Sequence, residues 1–340
     1  MDKSLDYIGS YAESLSYKDL PETTIKDVKY RLIDSIGCAL NAYPYDPSPS
    51  IRGLCPKVDS TFSARIIGSL ERTTPEMAAF ANSTMLRTLD FNDVFKFKVP
   101  THPSDGIASI LALAEALHTD GKSLITGIVL SYEMHVPFVE RNPLQKGWDE
   151  SAIAATLGSA LGSGKILNLN KEQFANAAAM AILPNITLKM RVVGNLSTYK
   201  EVYAGMAARQ GLFAALMAQA GLTGPEETMM GSAGLEKMVV GGPIQWEPLG
   251  GGQTQFGIER TSIKRYPVTA QIQIFVKAAL DIKKKVQLKD IKKLTIKTHE
   301  FGATFASSQE QKLPKNKETA DHSSPAAVAI ALIDGAIVPD

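Results

Sequence analysis

Residues 151–167, SAIAATLGSALGSGKIL, say most about how this chain folds. The stretch is apolar or small almost throughout, and its small residues recur along one side of a helix. They are Ala152, Ala155, Ser159 and Gly162. The distance between packed helices depends on the side chains at their contact, so small residues permit a close approach. We therefore predict a helix that packs tightly against other helices.

Helical periodicity continues on both sides of this stretch. Apolar residues at helical spacing predict a helix over residues 21–41, and another begins at Pro75. Asn170 with Gln173 forms a capping box before the next apolar run. Residues 199–220 read as a long alanine-rich helix. Most of the chain is thus expected to be α-helical.

The pattern changes after about residue 250. GGGQTQ is rich in turn residues, and KKLTIKTHEF, residues 292–301, alternates as a β-strand does. We predict a mainly α-helical large domain over residues 1–260. A smaller α/β (α+β) domain is predicted over residues 261–340.

Composition limits the classes of function. The 36 Lys and Arg against 35 Asp and Glu give a net charge of +1, which provides no field to gather nucleic acid or an anionic membrane. Two cysteines are too few for a disulfide framework or a cysteine-ligated iron–sulfur cluster. The first residues lack the apolar run of a signal peptide. The expectation is a cytoplasmic protein that binds neither nucleic acid nor membrane.

Three motifs fit ordinary surfaces or helices better than sites. Glu115 and His118 have the spacing of a di-iron ligand pair, but no second pair accompanies them. GSALGSGK lacks the spacing of a phosphate-binding loop and lies within a helical pattern. KKKVQLKDIKK is typical of a solvated face. We expect no metal site.

Polar residues that carry chemistry concentrate in residues 89–105, LDFNDVFKFKVPTHPSD. Loops of this kind on a rigid scaffold frequently hold functional groups. Further candidates are scattered along the chain. Together the candidates are Asp90, His102, Arg191, Lys200, Lys264, Arg265, Asp321 and His322.

At these residues the chain resembles the MmgE/PrpD family, whose members include 2-methylcitrate dehydratases. The similar segments run in the family's order: LDFNDV with THPSD, KGWDES, RVVGNLSTYKEVYAGMAARQGLFAALMAQAGLTGP, SIKRYPVTAQIQ, and ETADHSSPAAVAIALIDG. The resemblance implies a helical domain and an α/β domain, a homodimer, and action on small polycarboxylates without metal or organic cofactor. It also places Asp90, His102, Lys200 and Lys264 in a cleft between the domains.

The expected chemistry suits these residue types. Dehydrating a β-hydroxy tricarboxylate needs a base for the proton next to a carboxylate, an acid for the departing hydroxyl, and cations that neutralise the carboxylates. We hypothesise that His102 and Asp90 transfer protons. Lys200 and Lys264 then bind carboxylates, unless burial lowers the pKa of one lysine so that it serves as the base. The remaining candidate substrate-binding residues are Arg191, Ser104, Arg265, Tyr266 and His322.

Four positions depart from the residues common in the family. They are Val94, Glu150, Gln271 and Ala326, where relatives often have Thr, His, His and Tyr. The chain also stops about a hundred residues earlier than the family normally does, so we expect exposed apolar surface and a tendency to associate.

The first functional hypothesis is therefore a cofactor-independent lyase, with 2-methylcitrate as the leading substrate. Decarboxylation of cis-aconitate or epimerisation of a related dicarboxylate is the alternative within the family. A non-catalytic relative that binds a carboxylate or only assembles is the alternative outside enzymes.

Overall fold

The computed structural model describes residues 1–306 and 308–339, without the side chains of residues 301, 304 and 305. The described chain is mainly α-helical, as predicted. Its α-helices, α1 to α14 in chain order, are Lys3–Ser14, Glu22–Ala42, Ser48–Gly53, Pro75–Thr88, Ile107–Ala116, Gly121–Arg141, Glu150–Ile166, Lys171–Ile182, Tyr199–Gln219, Gln273–Lys283, Glu300–Phe305, Gln309–Lys312, Lys317–Ala320 and Ser324–Asp334. Two short antiparallel strands, β1 (Ala64–Arg65) and β2 (Arg72–Thr73), form the one sheet of the described residues.

The chain divides into two compact units, and both are discontinuous in sequence. Unit 1 comprises Met1–Thr88, Asn92–Lys189 and Glu201–Ser262. Unit 2 comprises Leu89–Phe91, Met190–Lys200 and the chain from Ile263 onward. Two short internal segments thus belong with the C-terminal part of the chain. No signal in the sequence assigns these two segments to the second unit. The domain boundary placed at residue 260 stays a prediction.

Helix α7 lies at the centre of unit 1, where it packs against α5, α6 and α8. A Cβ atom added to Gly158 would lie 2.7 Å from the carbonyl oxygen of Ser131 on α6, and one on Gly162 would lie 2.8 Å from that of Gly127. Side chains larger than hydrogen would force the helices apart. The close packing predicted from the small residues of this stretch is confirmed.

Local signals located the helices predicted from the sequence correctly. Residues 21–41 correspond to α2, and 199–220 to α9. The capping box that opens α8 is present. The Asn170 side chain accepts from the Gln173 backbone N–H, and the Gln173 side chain accepts from the Asn170 backbone N–H. These features depend on neighbouring residues only, which is why periodicity and capping chemistry find them.

The strand predicted over residues 292–301 is wrong. Residues 292–299 lie outside any strand or helix, and α11 begins at Glu300. Alternation selects an extended backbone, but a strand exists only where a second strand bonds to it. Within residues 1–306 and 308–339, none pairs with this segment. Leu294 and Ile296 instead line an apolar cavity of about 410 Å³ in unit 2.

Unit 2 has a core of its own, between α10 and α14. Val276 and Ala279 of α10 pack with Val328 and Ala331 of α14, all of them buried. This core is small, and the polar residues described below are buried in the same unit.

A buried carboxylate organises the turn that the sequence GGGQTQ forms in unit 1. Glu133 of α6 is 1% exposed, and its two oxygens accept the backbone N–H groups of Gly250, at 2.7 Å, and Gly257. The Tyr11 hydroxyl donates to the Gly250 carbonyl at 2.9 Å. Burial raises the pKa of Glu133 to about 7, against the opposing effect of the two backbone hydrogen bonds.

No helix in the described part of the chain combines the length and apolar character that crossing a membrane requires.

Candidate active site

A buried group of five charged or titratable side chains occupies unit 2. The Lys200 ammonium contacts the Asp321 carboxylate oxygens at 2.8 and 3.0 Å and lies 3.5 Å from Asp90 Oδ2. The Lys264 ammonium donates to Asp90 Oδ1 at 2.5 Å. His322 Nδ1 lies 2.6 Å from Asp321 Oδ1 and 3.4 Å from Asp90 Oδ2. The structure thus brings together three of the four predicted catalytic residues, with His322 and Asp321. We call this group the unit 2 cluster.

The backbone of Asp90 has an uncommon conformation that serves the cluster. Its φ is +47°, in the left-handed region that few residues other than glycine adopt, although aspartate tolerates it better than most. Both the Asp90 carbonyl, at 2.6 Å, and its carboxylate accept from Lys264. Strained backbone persists where surrounding contacts hold it, and such positions concentrate at functional sites.

The other members are held by short helices and their caps. The Leu196 N–H donates to the Thr319 hydroxyl at 3.1 Å, and the Asn316 amide donates to the Leu196 carbonyl at 2.6 Å. These bonds dock the segment that carries Lys200 onto α13. Asp321 follows α13 directly, so the same short helix positions both partners of the ion pair.

Electrostatics fix the protonation of the Asp321–His322 pair. Burial raises the pKa of the Asp321 carboxyl, but Lys200 and then His322 outweigh it and hold that pKa below its ordinary value. Burial, and then Lys200, lower the pKa of His322 below 6.5 despite the nearby carboxylates. At pH 7 the ring of His322 is therefore neutral. Its Nδ1–H donates to Asp321, and its lone pair is on Nε2.

The charges of the unit 2 cluster balance, and Lys317 beside the cluster adds one positive charge. Lys317 Nζ lies 3.8 Å from Asp321 Oδ2, so three ammonium groups face two carboxylates. Asp321 and Lys317 also line a cavity of about 230 Å³ whose other walls are largely apolar, including Val268 and Ala327. Asp321 was among the candidates from the sequence but received no specific role, whereas Lys317 was not a candidate.

Asp90, Asp321 and His322 also have the spacing of metal ligands, since one ligand atom from each lies within 4.8 Å of the others. Both carboxylates already contact the Lys200 ammonium, which supplies the cation that balances them. A divalent ion bound here has to compete with that ammonium. The donor set fits a built-in organic cation better than a metal.

Two predicted site residues, His102 and Ser104, belong to unit 1. His102 is 6% exposed, and its Nδ1 lies 2.7 Å from the Asp93 carbonyl oxygen. Ser104 is buried, its N–H donates to Asp93 Oδ1 at 3.1 Å, and its hydroxyl accepts from Asn92 at 2.9 Å. The Ser104 hydroxyl therefore has a structural partner within its own loop.

Arg265 and Tyr266 are not members of the unit 2 cluster, and their proposed substrate-binding role stays a prediction. Arg265 is exposed, with its guanidinium 5.9 Å from the centre of the Tyr266 ring. Both line a cavity of about 470 Å³ together with Lys277 and Lys283. Neighbours in sequence point apart here, because Lys264 is buried while Arg265 is exposed. Arg191 is half-buried in the short helix Lys189–Val192, and its proposed role stays a prediction.

At two of the four departures the structure shows a backbone hydrogen bond, and at the other two a side-chain contact. The Val94 N–H donates to the Ser262 carbonyl at 2.9 Å, and the Ala326 N–H caps onto the side chain of the serine at position 323. Glu150 pairs with Lys189 at 3.2 Å. Gln271 accepts from a neighbouring threonine hydroxyl at 3.0 Å.

Fold and cluster together define a mainly helical protein with a buried, ion-paired group in unit 2. The chain belongs to the MmgE/PrpD family: the model of the family's N-terminal domain matches residues 6–247, and that of its C-terminal domain matches residues 266–340.

Several named relatives are similar to the chain. A 2-methylcitrate dehydratase of Salmonella typhi is 26% identical over 186 residues, which is 52% of this chain and 38% of that protein. The 2-methylcitrate dehydratase of Escherichia coli K12 is 26% identical over 196 residues, 54% of this chain and 39% of that protein. A cis-aconitate decarboxylase of Aspergillus terreus is 26% identical over 183 residues, 50% and 37% respectively. The aligned part of the chain thus spans less than half the length of these relatives.

Proposed function

We propose that the chain is a lyase acting on a small di- or tricarboxylate, with dehydration of 2-methylcitrate as the leading reaction. The unit 2 cluster carries the proposal. Two buried ammonium groups, those of Lys200 and Lys264, are held rigidly beside a histidine that is neutral at pH 7. The names of the relatives supply the substrate class.

The reaction divides naturally among these groups. A base takes the proton from the carbon next to one carboxylate, and the C–O bond of the neighbouring carbon breaks. The hydroxyl leaves as water after it receives a proton, and the electron pair of the broken C–H bond forms the new double bond. Lys200 and Lys264 bind substrate carboxylates, so that negative charge developing at the carbon is tolerated.

Two histidines are the candidates for proton transfer. His102 is the base predicted from the sequence, with Asp90 as its partner in handling protons. His322 is a second candidate, because its neutral ring presents a lone pair on Nε2 while Asp321 holds Nδ1–H.

The resemblance further suggests a homodimer. Sedimentation velocity at micromolar concentration tests the oligomeric state, and a stable monomer contradicts the suggestion.

Decarboxylation of cis-aconitate is the second candidate, because a relative of similar identity bears that name. In that reaction a C–C bond breaks, carbon dioxide leaves, and a proton replaces it on carbon. The same ammonium groups stabilise the carbanion in both reactions.

Ultraviolet absorbance of the enoate distinguishes the candidates. The folded chain is mixed with 2-methylcitrate, citrate and cis-aconitate in turn. A rise with 2-methylcitrate supports the dehydratase, and a fall with cis-aconitate accompanied by carbon dioxide supports the decarboxylase. No change with any of the three, combined with a raised melting temperature, identifies a carboxylate-binding protein and refutes both.

A matched pair of variants tests the cluster. Lys264→Met removes a buried ammonium and is expected to lower kcat about 100-fold or more, as removal of one charge-stabilising donor does. Lys289→Met changes an exposed lysine of the same unit and is expected to leave turnover unchanged. Circular dichroism establishes that both variants fold. Equal turnover of the two refutes the role of Lys264.

A further inference from the structure

The loop that carries His102 is attached to unit 1 on both sides of the histidine. Asp93 Oδ1 accepts the Ser104 N–H at 3.1 Å, which joins the backbone before His102 to the backbone after it. Phe95 and Thr101 exchange backbone hydrogen bonds at 2.9 and 3.1 Å, closing the intervening loop. The histidine therefore projects from a closed loop with little freedom to turn.

Two long helices hold the Asp93 side chain in place. Its Oδ2 accepts from the Tyr132 hydroxyl of α6 at 2.9 Å and lies 3.4 Å from Arg31 Nε of α2. Arg31 also donates to the hydroxyl and the carbonyl of Thr261, at 3.0 and 2.9 Å. Asp93 and Tyr132 are fully buried and Arg31 is 6% exposed.

Stability alone is a poor explanation for this arrangement. Burying a carboxylate and a guanidinium costs several kcal/mol each in lost hydration, and replacing such pairs by apolar residues is frequently neutral or stabilising. What the pair supplies is a fixed position for the Asp93 backbone, whose carbonyl oxygen lies 2.7 Å from His102 Nδ1.

That contact determines which ring nitrogen of His102 carries the proton. A carbonyl oxygen only accepts hydrogen bonds, so Nδ1 must be the donor. In the neutral ring the lone pair is then on Nε2. The hydrogen bond made by one ring nitrogen commonly fixes the chemistry available at the other.

We propose that Asp93, held by Arg31 and Tyr132, is a positioning residue that keeps His102 in the Nδ1–H tautomer with Nε2 as its proton-accepting atom. The catalytic part of this inference rests on the proposed function; the tautomer does not. Asp93 itself touches no substrate in this scheme, because Ser104, Tyr132 and Arg31 already occupy its two carboxylate oxygens.

Nitrogen-15 NMR of histidine-labelled protein reads the tautomer directly. The signals of His102 are assigned by their loss in His102→Gln, and the spectrum is recorded above the ring's titration. We expect a protonated Nδ1 and an unprotonated Nε2. A protonated Nε2 overturns the proposal whether or not the chain turns over any substrate.

Variants test the positioning role. Asp93→Asn retains the shape but loses the charge next to Arg31, and we expect a mixture of tautomers and a 10- to 100-fold fall in kcat, with KM little changed. Tyr132→Phe removes one of the bonds to Asp93 and is expected to have the same effect to a smaller degree.

Tyr203→Phe is the matched control, because the Tyr203 hydroxyl donates at 2.7 Å to Asp105, a different carboxylate of the same loop. It is expected to lower stability without changing the tautomer. If Tyr203→Phe and Tyr132→Phe alter the His102 spectrum equally, general loosening of the loop explains the effect and Asp93 has no special role. If folded Asp93→Asn keeps the tautomer of the wild type, Asp93 likewise has no special role. A normal tautomer without turnover of any tricarboxylate refutes the proposed function alone.

Discussion

Glu133 is predicted to make the protein less stable as the pH rises from about 4.5 to about 7. Burial raises its folded-state pKa to about 7, whereas the ordinary value that applies to the unfolded chain is 4.5. Between these values the folded protein binds more protons than the unfolded chain, so the free energy of unfolding falls with increasing pH. Each unit of pKa is worth about 1.36 kcal/mol, so the full effect is about 3 kcal/mol.

Glu133→Gln removes this titration. The amide offers only one acceptor oxygen for the two backbone N–H groups of Gly250 and Gly257. One buried donor is left unsatisfied, which lowers the free energy of unfolding of the variant by about 1–3 kcal/mol. Urea unfolding is measured for both proteins from pH 4.5 to 8. The stability of the wild type relative to the variant is expected to decrease by about 3 kcal/mol over that range.

Tyr11→Phe is the control for Glu133→Gln, because it loosens the same turn without removing the carboxylate. Its difference from the wild type is expected to stay constant between pH 4.5 and 8. A difference between the wild type and Glu133→Gln that is independent of pH, or that grows with pH, contradicts the reasoning.

Three further predictions concern packing, thiol reactivity and the cluster. Gly162→Ala is expected to lower the free energy of unfolding by about 1–3 kcal/mol, because its Cβ would clash with α6. Gly37 has open space around it, so Gly37→Ala is expected to be neutral or stabilising by about 1 kcal/mol. Equal melting temperatures of the two variants contradict this. Burial raises the pKa of Cys55 to about 11, so iodoacetamide should alkylate it at pH 8 about 100-fold more slowly than an unperturbed thiol; alkylation at the rate of the unfolded chain contradicts this. Lys317→Met removes the ammonium group next to Asp321 and is expected to raise KM for the proposed tricarboxylate substrate several-fold with little change in kcat; a fall in kcat alone contradicts this.

Much of the helical fold could be predicted from patterns among neighbouring residues. Features that depend on distant parts of the chain could not. The helical periodicity of residues 199–220 and the capping box at Asn170 depend on residues a few positions apart, so the sequence alone predicts them. The segment 292–299 alternates like a strand, but a strand depends on a partner that no local pattern specifies. The segment Met190–Lys200 belongs to the unit whose main part begins at Ile263. No change in composition around residues 190–200 indicates this assignment.

The candidate site was predicted in the same uneven way. Resemblance to a family selected Asp90, Lys200 and Lys264, which lie far apart in sequence yet meet in unit 2. Asp321 received no role because its importance comes from its ion pair with Lys200. Arg265 shows a limit of another kind: it follows Lys264 directly in the sequence, yet Arg265 is exposed whereas Lys264 is buried.

The unit 2 cluster also links the opening motions of distant parts of the chain. Its charges come from Asp90, Lys200, Lys264 and Asp321, so moving any one segment away leaves an opposite charge buried without its full balance. Loss of one member of a buried ion pair costs about 3–5 kcal/mol. Separate fluctuations of these segments are thereby suppressed, and backbone amides around all four residues should exchange with solvent deuterium in one concerted event. A buried charge balance of this kind makes a discontinuous unit behave as a single cooperative element.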